Sequence, residues 1–146
     1  MAQHKDKASL AKEFGITTAI FTDWLTRTVA EFNLREGARI QQHRSITEAD
    51  VIKAVMGTGG KDYYTGESLK WERIPDYYKS QKLGKDISER RLFWQVPTVD
   101  REDPFGPSPA IRLCSRKVAA IKADVNPREL VKLAIQVKDH LELGLK

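Results

Sequence analysis

Cysteine is nearly absent from this chain: Cys114 stands alone among 146 residues, so no internal disulfide can form. The three histidines, His4, His43 and His140, do not combine with that thiol into a zinc-spaced set. A disulfide-stapled secreted scaffold and a structural zinc finger are thereby excluded, and a reducing compartment, the cytoplasm, is the expected location. Long apolar runs are lacking as well. No stretch approaches the roughly 20 residues a membrane helix needs, and the opening MAQHKDKASLAKEF is too polar for a signal peptide, so no membrane partner is expected. Repeats and low-complexity segments are missing too. What remains, 40% hydrophobic residues over this length, suffices for one core and predicts a single domain spanning 1–146. The net charge of +5 suits a polyanion partner without specifying one.

The front part, 1–57, reads as helical. Ser9 to Phe14 forms a short helix ended by Gly15, and Thr17 or Thr18 then caps a longer one reaching about Leu34, with Gly37 as its stop. Phe21, Trp24, Leu25, Thr28, Val29 and Phe32 recur at helical spacing and define its buried face. A basic connector, Ala38 to Arg44, leads to a third helix opened by a Ser45–Glu48 capping box, with Val51, Ile52 and Val55 on its apolar side. Lys7 to Thr26 also fits helix-turn-helix spacing. The residues such a motif would present to a groove, Thr17, Thr18, Ala19, Thr22 and Asp23, include no Arg or Lys, so packing on the core is the favoured reading.

The glycines at 57, 59 and 60 separate this front from the remainder, 58–146. Lys61 to Trp71 reads as a tight hairpin or knuckle around Thr65-Gly66, with Tyr63 or Tyr64 and Trp71 forming a small apolar cluster in place of a metal. Pro75 and Asp76 open a basic helical stretch through Arg91, interrupted near Gly84. Phe93 to Val99 is a β-branched run closed by the Pro/Gly-rich turn Asp100 to Pro109, and a second strand follows at Ala110 to Cys114. Ser115 then caps a helix over Arg116 to Ala123, with Val118 and Ile121 facing inward and Ala119 a further candidate. Asn126 caps a last helix with Pro127 in its first turn; its stripe of Leu130, Ala134, Val137 and Leu141 is expected to close the core. The fold class is α+β: a helical N-terminal half, a ββα unit and a C-terminal helix.

GGKDYYTGESLKWERI, then FWQVPTVD, a turn, and IRLCSRKVAAIKADVN resemble a group of HNH-endonuclease-like proteins, over Gly59 to about His140. In that group a Tyr-Thr-Gly-Glu knuckle precedes a strand ending in Pro-Thr-Val-Asp-His, and a second strand and helix carry an Arg-x-Cys element and an Asn-rich, Lys-containing segment. The resemblance implies a ββα-metal finger, in which a divalent metal polarises the scissile phosphate and a histidine takes a proton from water. Asp100 matches the metal-ligating aspartate. Arg101 stands where the general-base histidine belongs, and arginine cannot act as a base at neutral pH. Ala119 occupies the ligand asparagine's position, Ala110 falls near the intermediate family position, and Lys122 is retained.

The expected function is therefore nucleic-acid binding, with DNA as partner, by a degenerate and catalytically impaired HNH-like unit. Gly106 to Ala123 holds Arg112, Arg116, Lys117 and Lys122 but no acid, and with Arg101 these are the expected phosphate contacts. No bound metal is expected. The alternative is an active metal-dependent endonuclease holding one divalent cation on Asp100 and Asp103, with Glu102 nearby. A third reading is a protein-interaction or self-associating chain with no nucleic-acid role. Cys114 is expected to be buried and structural.

Overall fold

The spine of the protein is its longest helix, and the apolar repeat from Phe21 explains why. In a computed structural model, which describes residues 5–39, 45–84, 91–105 and 110–142, α1 (Lys7–Glu13) leads through Gly15 into α2 (Thr18–Arg39). The Thr17 hydroxyl accepts from the Ile20 amide and caps α2. Phe21, Trp24, Leu25, Thr28 and Phe32 are buried as expected, and Glu36 extends the same face into the core. Gly37 does not stop the helix. Its φ stays out of the left-handed region, and burial of Phe32 and Glu36 holds the flanking turns. Ile40 to Arg44 of the expected connector, residues 85–90, Gly106 to Pro109, His4 and His43 lie outside the described residues.

Helix α3 (Glu48–Thr58) begins two residues later than the Ser45 reading placed it. The Asn33 side chain bonds both the N–H and the C=O of Ile46, at 2.8 and 3.0 Å, which keeps that residue extended. The capping box is consequently Thr47–Asp50: the Asp50 amide donates to Thr47 Oγ1 and the Thr47 amide to Asp50 Oδ2. Gly59 closes α3 with φ +64. At Gly60, φ is +83 and a β-carbon would run into the Phe14 ring, so both backbone and packing require glycine there.

The core is aromatic at its centre. Phe14 stacks on Trp71 at 4.3 Å, and Trp24 meets Trp71 edge-on at 4.9 Å. Each buried indole is satisfied by a carbonyl: Trp24 Nε1 donates to Pro97 O and Trp71 Nε1 to Gly60 O. Trp71 therefore belongs to the main core, whereas Tyr63 and Tyr64 pair edge-on with each other at 5.1 Å. The expected cluster of Tyr63 or Tyr64 with Trp71 does not form, since the ring partners of Trp71 are Phe14, Phe21 and Trp24. A 3-10 turn (Trp71–Arg73) runs into α4 (Ile74–Lys82), which ends before Gly84.

The sheet has two antiparallel strands, β1 (Pro97–Arg101) and β2 (Ile111–Ser115), with Val99 opposite Leu113 and Asp100 opposite Arg112. Phe93 and Trp94 precede β1 in a turn instead of opening it, because β2 has no residues left to pair with them. The amides facing that segment belong to the first turn of α5 (Arg116–Lys122): Arg116 N–H donates to Val96 O and Lys117 N–H to Trp94 O. Ser115 caps α5 by accepting from Val118 N–H at 3.0 Å. Val118 and Lys122, four residues apart, face inward, so Ile121 points outward and is 66% exposed instead of buried.

Helix α6 (Pro127–Leu141) forms with its Asn126 cap, but it does not close the core. None of its residues is buried, and Leu133, Val137 and Leu141 are exposed. A stripe at the right spacing makes a helix amphipathic without choosing what it packs on. The fold is thus mixed helix and strand, with helices before and after a β-β-α unit. No helix of the described residues is long and apolar enough to cross a membrane.

Candidate functional site

The knuckle is held to the β-β-α unit by a carboxylate. Asp62, buried, accepts from the Tyr64 and Thr65 amides through Oδ1, at 2.7 and 3.0 Å, and from the Ser115 amide through Oδ2, at 2.7 Å. Tyr63 N–H donates to Leu113 O, so the turn also pairs with β2, and Gly66 with φ +73 completes the bend. Asp62 thereby joins two segments 53 residues apart at the junction where β2 becomes α5. A knuckle with no Cys or His of its own needs such a tie, because a turn of this length buries too little to hold itself.

Beside it lies a buried charge cluster. Lys122 Nζ, with the residue 0% exposed, donates to Asp100 Oδ2 at 3.0 Å and to Arg101 O at 2.7 Å. Arg35 Nη2 lies 3.9 Å from Asp100 Oδ1, and Arg35 Nε 3.6 Å from Oε1 of the fully buried Glu36. Burial raises the Asp100 pKa above the usual carboxylate range; the hydrogen bond and charge of Lys122, then Arg35, pull it back, and Glu36 adds to the rise. Burial likewise raises the Tyr64 phenol, reinforced by Asp100, and the Cys114 thiol, reinforced by Asp100 and Asp62. Cys114 is inert and structural in this setting.

This arrangement corrects one expected phosphate contact: Lys122 is shut away from solvent, and its ammonium is already paired with Asp100. It also decides the fit of a metal. The Asp100 carboxylate is held by one cation and faced by a second, so the donor set around it is built to neutralise a negative charge, and a divalent ion would meet Lys122 and Arg35. Asp103 sits half-buried in the turn after β1, and among the described residues no three His, Cys, Asp or Glu side chains converge as a metal site.

The remaining basic residues lie around the same unit. Arg101 is half-buried, its Nη1 donating to Pro104 O at 3.2 Å. Arg112 donates to Glu102 at 2.7 Å and covers the Tyr63 ring at 4.3 Å; burial works against its charge, but Glu102 outweighs it and raises its pKa. Arg116 lies 4.0 Å over the Tyr77 ring, with Nη2 3.5 Å from Glu31. Lys117 approaches Trp94 at 5.8 Å. Arg116 and Lys117 thus share the first turn of α5, while Arg112 and Arg101 flank the far end of the sheet. The acid-free run around them is partly compensated by acids from elsewhere, Glu102 and Glu31.

The helix-turn-helix candidates Thr17, Thr18, Ala19 and Asp23 are exposed and carry no cation, while α1 and α2 pack on the core through Leu10, Ala11, Phe21 and Trp24. Sequence reasoning overlooked Asp62, Arg35 and Glu36. Glu36 follows Phe32 by four residues, so the helical repeat pointed to its burial; for Asp62, the Asp-x-x-Thr-type start of a turn was the available sign. No family model, curated protein or solved structure matches the chain.

Proposed function

We propose that the protein binds nucleic acid, with DNA as the expected partner, through the basic face of its β-β-α unit and without cleaving it. The observation that carries this reading is the Asp100–Lys122 pair: the carboxylate that the family resemblance assigns to a metal is bonded to a tethered ammonium, and Arg101 stands in the general-base position. Hydrolysis has neither a free ligand nor a base there, whereas Arg116 and Lys117 still present cations at the start of α5. Arg101 and Arg112 extend that face along the sheet. The compartment that goes with this reading is the cytoplasm.

The test is titration of a fluorescent duplex at several salt concentrations, with and without Mg, Mn, Ni or Zn, reading binding and strand scission from the same samples. Salt-sensitive binding without scission is expected. The double charge reversal Arg116→Glu, Lys117→Glu should lower affinity and reduce the salt slope by about 2, one for each phosphate that is no longer neutralised. Metal-dependent scission removed by Asp100→Ala would overturn the reading in favour of an active endonuclease.

A second reading, self-association or protein binding, draws on α6, whose capped helix leaves Leu133, Ile135, Val137 and Leu141 exposed. A discrete oligomer by light scattering, with no DNA retained at low salt, would favour it.

A further inference from the structure

Building on that nucleic-acid reading, we propose that the surface around Trp94 takes single-stranded nucleic acid, one base stacking on the indole while Arg91, Arg116 and Lys117 neutralise the flanking phosphates. Of the three tryptophans, Trp24 and Trp71 are core residues, whereas Trp94 is 39% exposed and Leu92 beside it is exposed as well. Two cations attend the ring: the Arg91 guanidinium at 5.6 Å from its centre and the Lys117 ammonium at 5.8 Å. The backbone that carries the ring is anchored, because Lys117 N–H donates to the Trp94 main-chain carbonyl at 3.0 Å and ties residue 94 to the first turn of α5. Half-buried rings packed against the core lie next to it. Phe93 meets Tyr77 at 5.6 Å, Arg116 covers Tyr77 at 4.0 Å, and Arg27 covers Tyr78 at 4.3 Å.

An exposed aromatic attended by cations matches the chemistry of a nucleotide, which brings a flat π-face and a negative charge on one unit. A duplex hides its base faces within the stack and can offer this surface only phosphates. An acidic peptide supplies charge without a face to stack. Glu31, which pairs with Arg116, limits the positive field on the Tyr77 side of the surface. Stacking tolerates any base, so the expected mode is weakly sequence-dependent and strongly salt-dependent.

The test uses the full chain, titrated at low salt with oligo-dT and oligo-rU of equal length, with a duplex and with poly-glutamate, following intrinsic tryptophan emission. Both oligonucleotides are tested because base and phosphate are common to DNA and RNA; quenching by either supports the proposal and identifies the sugar preferred. Trp94→Ala should weaken single-strand binding roughly 10-fold. Trp94→Phe should retain most of the affinity while removing the quenching, since the other two indoles are buried. Near-ultraviolet circular dichroism of Trp24 and Trp71 reports that both variants stay folded. If wild type and Trp94→Ala bind equally, the stacking role falls while nucleic-acid binding stands. Equal quenching by poly-glutamate, or a duplex bound as tightly as the single strand, also overturns it. If no nucleic acid is retained at low salt, the parent reading falls as well.

Discussion

Removing the Lys122 ammonium should expose what the buried pair contributes. In Lys122→Met the stem keeps its volume but Asp100, itself almost fully buried, loses the partner 3.0 Å away, and Arg101 O loses a donor. Breaking a buried ion pair from one side costs about 3–5 kcal/mol, because the desolvated charge left behind is uncompensated. For a chain of this size that corresponds to a fall in Tm of roughly 10 °C or more. Replacing both partners, Asp100→Leu with Lys122→Met, removes the orphan charge and should recover most of the loss, leaving Arg35 to Glu36. The pH dependence has a definite sign. A carboxyl whose folded pKa is raised holds its proton more tightly when folded. Its contribution to stability is therefore best below the unfolded value near 3.8 and declines as pH rises through the folded pKa. Lys122 is the largest influence opposing that rise, so its loss pushes the folded pKa further up and widens the window. The stability deficit of Lys122→Met should thus be greatest at about pH 7 and shrink towards about pH 4, as read by thermal melts across that range. A cost below about 1 kcal/mol at neutral pH, or a double variant as unstable as the sum of the singles, would refute the reasoning.

Two further outcomes follow from the same structure. Asp62→Ala leaves the Tyr64, Thr65 and Ser115 amides without their acceptor and should cost about 3 kcal/mol in a urea melt, with the Ser115 amide losing hydrogen-exchange protection; a loss under about 1 kcal/mol would mean water replaces the carboxylate freely. Truncation after Val125 removes α6, which has no buried residue, and should shift Tm by no more than about 2 °C, whereas a halved mass in light scattering would transfer weight to the self-association reading.

Local chemistry, legible along the chain, determined most of the elements. The Phe21–Phe32 repeat specified the buried face of α2, Ser115 and Asn126 specified the starts of α5 and α6, and the glycines near 60 specified the end of α3, because periodicity, caps and left-handed turns act within a few residues. The sequence likewise placed Asp100, Arg101 and Lys122 in one unit. What it could not decide was which side chains meet. Lys122 read as a surface cation because lysine is almost always solvated, and only the approach of α5 to the end of β1 turns it onto Asp100 and makes its burial tolerable. Ile121 and the stripe of α6 read as core because apolar spacing marks a face but not its partner; Val118 and Lys122 took the inward positions of α5, and nothing among the described residues buries the stripe of α6. The tie from Asp62 to Ser115 spans 53 residues, a distance over which a sequence carries no local signal, and it exists only once the knuckle has docked on the strand end.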